Sequence, residues 1–520
     1  MTTTTPTTTR PAGSTASSRR PRASSIGVPL ALGLAGTAVA LVGSSTVSLW
    51  TDEAATVSAA TRSLPELWAL VQRIDAVHAA YYLLMHVWTT VAGTSPVALR
   101  LPSAVAAGVA VVGVHRLLVV LGRRDAAIAG AVVAVVLPRI TWMGIEARSF
   151  GPSAAVAVWA TVLLVVALNR GGAARWIGYA ALVGVGTALN IYVALLAVAH
   201  AVTVAAWRRV PVRRRLAWLA SAAAGGLVAS PVVLLAAGQQ GQLGDNDLGL
   251  VQIARGIVVN QWFLGGTPTR VDSTASPTEP WALASLALAL VGWIAMAAAI
   301  VAGVRGRRAG PLWVLVPVLV VPTAVVVGYS LLVSPLYNPR YFTFAAPACA
   351  ALVGVGVTAL RHRGARVVAL AVIVALCVPV WLSQRQVTGK SGTDWSEAAA
   401  VVERGARPGD GVYFAPLDAD PPRVVERSTS NVAVVYPDAF DGLVDVTVRS
   451  RPVDQDSLRG TAWPLGSPEA RLDAVDRLWV VEPADEPTAR ADDVVLETAG
   501  FEVVSRWAGG MTAVEEWRRP

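Results

Sequence analysis

Long apolar runs alternate with short polar segments over most of the chain. Crossing the hydrocarbon core of a bilayer takes an apolar helix of about 20 residues. The first run, from residue 26 to about 49, lacks a small-residue cleavage site and is therefore predicted to be a retained span. The pattern predicts roughly eleven transmembrane helices in all, the later ones near residues 97–121, 126–143, 151–168, 176–189, 190–206, 216–238, 281–303, 311–333, 342–360 and 367–383. Asn190 and Tyr192 are the only internal sign of a turn within 176–206.

Arginines in the polar loops indicate how these spans are oriented, because short cytoplasmic loops are enriched in Lys and Arg. With the N-terminus inside, every alternate loop is arginine-rich, the residues concerned being Arg123, Arg124, Arg170, Arg175, Arg208, Arg209, Arg213, Arg214, Arg215, Arg305, Arg307, Arg308, Arg361, Arg363 and Arg366. An odd number of spans then places the segment after Trp381 outside. The sequence predicts a multi-pass protein of the cell membrane with a cytoplasmic N-terminus and an extracytoplasmic C-terminal domain.

Both ends of the chain have the composition of segments exposed to water. Residues 1–25 are mostly Thr, Ser, Pro and Arg, and are predicted to be a disordered cytoplasmic tail. Residues 26–383 form the predicted membrane domain, with an external loop at 50–96. Residues 384–520 are predicted to form a small α/β domain, with a helix at 395–404 and strands at 412–414, 478–481, 501–507 and 513–517. This domain has no phosphate loop or nucleophile triad, so we expect it to orient substrate or to stabilise the protein.

Composition agrees with a polytopic membrane protein. Only 15% of the 520 residues are charged, and the mean hydropathy is +0.54. The net charge of +9 does not indicate a nucleic-acid partner, because the arginines lie in short tracts between apolar runs rather than on one soluble face. Cys349 and Cys377 both lie in apolar stretches, where a thiol is usually a small buried hydrophobe, so no disulfide or zinc site is predicted.

The first external segment opens with two acids, Asp52 and Glu53, directly after the first span. Carboxylates at a membrane surface are candidates for acid–base chemistry. Acids also stabilise helix N-termini, so helix capping is an equally simple interpretation. Their position alone does not decide between the two.

The same segment carries Asp75, His78, Tyr81, Tyr82 and His86. At helical spacing, the residues from Asp75 through Tyr82 share one side of a short amphipathic helix, which predicts a helix lying on the membrane. Aromatic residues are common at that depth, and this structural interpretation is preferred for His86. His78 together with an acid could bind a divalent cation, although the spacing is not diagnostic of a metal site.

Arginine also occurs in short loops on the predicted external side, against the orientation rule. Arg148 lies close to Glu146 in one such loop, and Arg340 lies close to Tyr337 in another. An unpaired guanidinium near hydrocarbon is costly, so a compensating partner is expected. Glu146 could be that partner, but a lipid phosphate is preferred for Arg148 and Arg340, because the planar guanidinium can hold two phosphate oxygens at once.

Five motifs, in their order and spacing, resemble those of a known family of membrane enzymes. They are Trp50-Thr51-Asp52-Glu53, Asp75-x-x-His78-x-x-Tyr81-Tyr82, Leu99-Arg100-Leu101-Pro102-Ser103, Glu146-Ala147-Arg148-Ser149-Phe150 and Asn338-Pro339-Arg340-Tyr341. The membrane part, from about residue 26 to 383, resembles bacterial glycosyltransferases of the GT-C fold. The group that it resembles most is family 39, the protein-mannosyltransferase-like enzymes. The fold class expected is therefore an α-helical polytopic GT-C membrane protein with a small C-terminal α/β domain.

The resemblance implies roles for particular residues. Asp52 corresponds to the aspartate implicated as catalytic base, with Glu53 as its neighbour and helper. Arg148 and Arg340 correspond to residues that contact the lipid phosphate. Tyr337, in the same loop as Arg340, is a further candidate for binding this phosphate. Asp75, His78, Tyr82 and Glu146 are candidates for binding the acceptor or a metal. The family often has two prolines after the position of His78, where this chain has Ala79 and Ala80.

The activity expected is the inverting transfer of a sugar, mannose first among the candidates, from a polyprenyl-phosphate carrier to a glycan, lipid or protein acceptor. Membrane lipids are the other partners. No cofactor is required because the leaving group is a single phosphate, and a divalent cation is optional. A transporter or flippase of lipid-linked sugars is the alternative, although transporters place ionisable groups near the bilayer midplane rather than at the external ends of spans. An inactive scaffold is a third interpretation, which the presence of both Asp52 and Glu53 disfavours.

Overall fold

The computed structural model describes residues 24–239, 248–268, 279–306, 309–415, 429–484 and 489–520. Of the predicted tail, residues 1–23 lie outside these ranges. The helices α1 to α19 are Ser24–Leu41, Thr51–Ala60, Leu64–Arg73, Ala79–Ala92, Pro96–Val120, Arg124–Val136, Pro138–Gly144, Phe150–Arg170, Ala173–Leu189, Ala194–Ala206, Val212–Ala237, Leu250–Arg255, Pro280–Arg305, Leu312–Leu332, Ala346–Ala359, Arg363–Ser383, Trp395–Gly405, Asn431–Val435 and Ala489–Thr498. The strands β1 to β7 are Gly411–Phe414, Val444–Asp445, Val448–Ser450, Thr461–Ala462, Arg477–Pro483, Glu502–Ala508 and Thr512–Arg518.

The predicted spans are present as helices. Within the described residues, seven helical segments are long and apolar enough to cross a membrane, and α6 with α7 makes an eighth that is bent by 56°. The bend follows from Pro138, which keeps the preceding Leu137 out of helical geometry. Three shorter apolar helices, Gly27–Leu41, Ala173–Leu189 and Ile191–Ala206, correspond to the remaining predicted spans. The turn expected between the last two is a 3₁₀ turn at Ile191–Val193, capped by Asn190.

Helix α15 lies at the centre of the membrane part. The segment Pro339–Ala359 is 94% buried over its apolar window, whereas that of α16 is 17% buried. Gly354 packs directly against Gly130 of α6, and Gly356 packs against the backbone of Ala295 in α13. A Cβ at either glycine would overlap backbone atoms, so the close approach requires glycine, as is common between membrane helices. This tight packing fixes the 3₁₀ turn Pro339–Ala345 that precedes α15 and carries Arg340.

The predicted external loop folds into α2, α3 and α4. Helix α3 is amphipathic, burying Leu67 and Leu70 while Trp68 stays exposed. The prediction of one helix from Asp75 through Tyr82 is wrong at its start. Asp75 has a φ of +59° in the left-handed region, which breaks the chain direction after α3, and a 3₁₀ turn at Ala76–His78 then leads into α4. Short polar Asp tolerates this conformation better than most residues.

The C-terminal segment contains a five-stranded sheet in the order β2-β1-β5-β7-β6. Strand β1 pairs in parallel with β2 and β5, and β7 pairs antiparallel with β5 and β6. The predicted helix at 395–404 corresponds to α17, and the four predicted strands correspond to β1, β5, β6 and β7. The small α/β domain expected at this end is therefore present, and β3 with β4 forms a separate two-stranded sheet that the pattern did not predict.

The C-terminal segment packs directly on α2, α3 and the segment between α1 and α2. The backbone N–H of Leu49 donates to the Tyr436 hydroxyl at 2.8 Å, and that of Ser396 donates to Ser48 Oγ at 3.1 Å. A shared apolar cluster joins α2 and α3 to the C-terminal part, its members including Ala55, Leu70, Val402 and Trp479. Helix α2 is thus held between the membrane helices and the C-terminal sheet, which restricts how far Asp52 can move.

Candidate active site

Several elements from different parts of the chain converge on the first turn of α2. The chain leaves α1, turns at Trp50, and enters α2 so that Asp52 and Glu53 occupy its first turn. The segment 146–149 passes beside this turn, and the 3₁₀ turn before α15 brings Arg340 to it. Three separate parts of the sequence therefore meet at this turn, and none of them forms the site alone.

Asp52 is the partly accessible carboxylate of the site. Its side chain is 15% exposed, and Oδ2 accepts a hydrogen bond from Arg340 Nη1 at 2.9 Å. Arg148 Nη1 donates to the backbone carbonyl of Asp52 at 3.2 Å. Burial acts against ionisation of Asp52, but the positive charges of Arg340 and Arg148 outweigh it and hold its pKa below the ordinary value of 3.8. Asp52 is therefore a carboxylate at neutral pH.

Arg148 links a second set of predicted residues. Its Nη1 donates to the Tyr82 hydroxyl at 3.2 Å, and its Nη2 lies 2.6 Å from His78 Nε2. The Tyr82 hydroxyl in turn donates to Asp75 Oδ2 at 2.6 Å. Four of the predicted site residues thus form one hydrogen-bonded chain next to Asp52.

Arg340 is held by aromatic rings as well as by Asp52. Its guanidinium carbon lies 5.7 Å from the centroid of the Trp50 ring and 5.6 Å from that of Tyr341. Tyr192 stacks on Tyr341 at 5.0 Å between centroids, and Asn190 Nδ2 donates to the Tyr341 carbonyl at 3.2 Å. The turn between α9 and α10 therefore contacts Tyr341, which in turn packs against the Arg340 guanidinium.

Both arginines keep a free hydrogen-bond donor in the site. Arg148 Nε and Arg340 Nε are buried and have no partner among the residues that the structure describes. A buried N–H without a partner is unfavourable, so a bound anion would satisfy both groups.

Glu53 points away from this opening into a buried ionic cluster that it forms with Arg100, Glu146 and Lys390. Arg100 donates two hydrogen bonds to Glu53, from Nε to Oε1 at 2.8 Å and from Nη2 to Oε2 at 2.6 Å. Lys390 Nζ lies 3.2 Å from Glu53 Oε1 and donates to Glu146 Oε2 at 2.6 Å. Burial opposes ionisation of Glu53, but Arg100 and Lys390 lower its pKa to about 2. The cluster holds two acids and two bases, so its charges balance.

The structure therefore divides the predicted residues into three groups. Asp52, Arg148, Arg340, His78, Tyr82 and Asp75 lie together, with Glu53 and Glu146 in the cluster beneath them. Tyr337 is not brought to Asp52, because its hydroxyl is buried and donates to Gln261 Oε1 at 3.0 Å. The alternative in which Glu146 pairs with one of these arginines is not observed, since its described partners are Lys390 and Trp50 Nε1, the latter at 2.7 Å.

Lys390 and Arg100 are the residues that the site prediction missed. Lys390 is the only lysine in the sequence, and its side chain is 1% exposed. A single lysine in a chain rich in arginine is a signal that could have singled it out. Arg100 lies within one of the motifs but received no role, because its carboxylate partner is 47 residues away in the chain.

The described residues show no group of three or more His, Cys, Asp or Glu side chains arranged to hold a metal ion. Of the four acceptor or metal candidates, Asp75 and Tyr82 contact each other, His78 contacts Arg148, and Glu146 contacts Lys390.

Comparison with known proteins agrees with this architecture. Residues 79–234 match the family model of dolichyl-phosphate-mannose-protein mannosyltransferase, which is less than a third of the chain. The crystal structure of ArnT from Cupriavidus metallidurans in the apo state aligns with 95% of this chain and 98% of that chain, with a TM-score of 0.58 at 12% identity. The chain has a GT-C fold. The resemblance predicted from the five motifs is thereby confirmed.

Two further solved structures show the same fold. The same ArnT bound to undecaprenyl phosphate aligns over 95% of this chain and 98% of that chain, with a TM-score of 0.52 at 12% identity. The Archaeoglobus fulgidus oligosaccharyltransferase in complex with Zn and sulfate aligns over 93% of this chain and 72% of that chain, with a TM-score of 0.50 at 11% identity. No curated protein matches the sequence significantly.

Proposed function

We propose that this GT-C protein transfers a sugar from a polyprenyl-phosphate carrier to an acceptor hydroxyl on the extracytoplasmic face, with Asp52 as general base. The observation that carries the proposal is the partly exposed Asp52 carboxylate beside two arginines whose Nε–H groups lack partners in the described structure. A base and donors for a leaving phosphate are thus adjacent. The fold shared with ArnT, which was also solved with undecaprenyl phosphate bound, supports a lipid phosphate as ligand.

The reaction is a single displacement. Asp52 takes the proton of the acceptor hydroxyl as its oxygen forms a bond to the anomeric carbon, and the bond from that carbon to the phosphate oxygen breaks. Arg148 and Arg340 stabilise the charge that grows on the leaving phosphate. Attack from the side opposite the phosphate inverts the anomeric configuration. The residues named supply both the base and the counter-charge, so we propose that the reaction needs no cofactor.

An apolar cavity between α9, α10 and α11 is the proposed place for the polyprenyl chain. It has a volume of about 310 Å³ and is lined by residues that include Val183, Ala194, Gly226 and Val233. The outer end of α9 leads to Asn190, which contacts the residue after Arg340. A lipid tail in this cavity would therefore place its phosphate near the two arginines.

A transfer assay with defined donors and acceptors tests the proposal and identifies the sugar and the acceptor. The matching family model is described by mannose transfer to protein, which makes polyprenyl-phosphate mannose the first donor to test. Purified protein would be incubated with labelled polyprenyl-phosphate mannose or arabinose and with glycan, lipid or protein acceptors. Transfer of label to any of these acceptors would support the proposal, and failure with every combination in folded protein would count against it.

Asp52→Asn tests the role of the base. The amide keeps the size of the side chain but removes the basic oxygen, so transfer should fall roughly 100-fold or more while donor binding survives. Asp125→Asn is the matched control, because Asp125 also lies in the first turn of a helix but at the predicted cytoplasmic end. If Asp52 only capped α2, both variants would lose stability slightly and keep their transfer rate.

A further inference from the structure

His78 occupies an unusual position in the site. It ends the 3₁₀ turn before α4, and its ring lies 5.9 Å from that of Tyr82 between centroids. Its Nε2 atom is 2.6 Å from Arg148 Nη2, whereas its Nδ1 atom is buried and has no partner among the described residues. Nε2 therefore has a hydrogen-bond partner, and Nδ1 remains available to a ligand.

The partner of Nε2 determines where the proton of the ring lies. A guanidinium nitrogen always donates and never accepts, so His78 Nε2 must accept the hydrogen bond from Arg148. The neutral ring then carries its hydrogen on Nδ1. Burial and the charge of Arg148 lower the pKa of His78 well below the ordinary 6.5, so the ring stays neutral at physiological pH.

The direction of the Nδ1–H bond indicates that its ligand is not the leaving phosphate. The two nitrogens of an imidazole point to opposite sides of the ring, so the Nδ1 hydrogen points away from Arg148. The leaving phosphate is proposed to lie at Arg148 and Arg340. The open donor of His78 therefore points away from the proposed phosphate position. A glycosyl transfer also brings hydroxyl oxygens of the sugar and of the acceptor, which are neutral hydrogen-bond acceptors.

We propose that Arg148 locks His78 as the Nδ1–H tautomer, and that His78 donates this hydrogen to a hydroxyl oxygen of the substrate, on the transferred sugar or on the acceptor. This inference rests on the proposed function. It makes His78 a substrate-positioning residue, neither a metal ligand nor a base, because one lone pair is used by Arg148 and the other nitrogen carries hydrogen.

Two substitutions separate the two ring nitrogens. The amide of His78→Gln reaches the position of Nε2 and can still accept from Arg148, but it leaves nothing at Nδ1. The amide nitrogen of His78→Asn reaches the position of Nδ1 and keeps the donor. We expect kcat/KM for transfer to fall about tenfold in His78→Gln, the scale of one hydrogen bond, and less in His78→Asn. The reverse order in two folded variants would overturn the proposal.

Binding measurements identify which hydroxyl is held. If it belongs to the sugar, His78→Gln weakens binding of sugar-loaded polyprenyl phosphate but not of bare polyprenyl phosphate. If it belongs to the acceptor, donor binding is unchanged and the acceptor KM rises. Equal weakening of loaded and bare carrier would mean that His78 serves the phosphate, and the proposal would be wrong.

Nitrogen NMR of histidine-labelled protein tests the tautomer without any turnover. The chain has five histidines, so the signals of His78 can be assigned by their loss in His78→Asn. We expect the Nδ1–H form in the free protein, unchanged by added Mg²⁺, Mn²⁺ or Zn²⁺. An Nε2–H form, an imidazolium or a metal-induced shift would overturn the proposal. If the Nδ1–H form is found but no sugar is transferred by the wild type, the proposed function fails while the tautomer assignment stands.

Discussion

Two adjacent acids in this site have opposite environments. Asp52 is 15% exposed beside Arg340, whereas the Glu53 side chain is 0% exposed and gripped by Arg100. Consecutive residues on a helix point about 100° apart, so one turn can present one carboxylate to substrate and bury the other. The two adjacent acids can therefore have different roles. Glu53 anchors the start of α2 in the buried cluster, and Asp52 remains accessible to substrate.

Replacing Arg340 should change the pH at which Asp52 works. The pKa of Asp52 is lowered because Arg340 and Arg148 outweigh the effect of burial. In Arg340→Gln, burial is opposed mainly by Arg148, so the pKa of Asp52 should rise. A base works above its pKa, so the acid limb of kcat/KM, which in wild type should lie below pH 3.8, should move to higher pH.

The measurement is a pH profile of transfer by purified Arg340→Gln, wild type and Arg123→Gln. Arg123 pairs with Asp125 at the predicted cytoplasmic end, so its variant should keep the wild-type profile. Donor affinity should also fall in Arg340→Gln, because a phosphate contact is lost. An acid limb that stays in place would show that Arg340 does not control the ionisation of Asp52.

At the scale of structural elements, the buried ionic cluster links four parts of the chain. It connects α2 through Glu53, α5 through Arg100, the segment before α8 through Glu146, and the chain after α16 through Lys390. Removing one member of a balanced buried cluster leaves an uncompensated charge. Such a change is far more damaging than removing a pair on the surface.

Lys390→Met should lower the free energy of unfolding by about 3–5 kcal/mol, because Glu146 would lose its ion-pair partner and Glu53 would keep only Arg100. Adding Glu146→Gln to that variant should recover part of the loss, since it removes one of the two buried acids. Thermal unfolding in detergent measures both effects. Arg451→Ala, which breaks an exposed pair with Asp454, should leave the transition unchanged. Equal effects of Lys390→Met and Arg451→Ala would contradict the role of the cluster.

The elements were more predictable from sequence than their contacts. A span depends on local hydropathy, so all eleven predicted spans correspond to helices, and the turn at Asn190 was indicated by Asn190 and Tyr192. The pairing of Glu146 with Lys390 joins residues 244 positions apart, and no local pattern encodes it. The break at Asp75 was missed for another reason, because helical spacing continues across a residue whose backbone is left-handed.

At the scale of the whole molecule, one contact constrains the number of crossings. The C-terminal segment touches the segment between α1 and α2, through Tyr436 and Leu49, so both must lie on the same side of the membrane. An even number of spans must therefore separate them. The predicted arrangement has ten spans after residue 50, which satisfies this condition, whereas a count that differs by one does not.

The last prediction concerns the side itself. Arginine-rich loops place the N-terminus inside, so a reporter fused after Trp517 should be active only if it functions outside the cytoplasm. Alkaline phosphatase fused there should be active and green fluorescent protein dark, and both responses should reverse for fusions after Arg209, in a predicted cytoplasmic loop. If the fusion after Trp517 reports the cytoplasm, the contact between Tyr436 and Leu49 carries Asp52 to the same side. The proposed site would then face the cytoplasm, and the donor would have to present its sugar there.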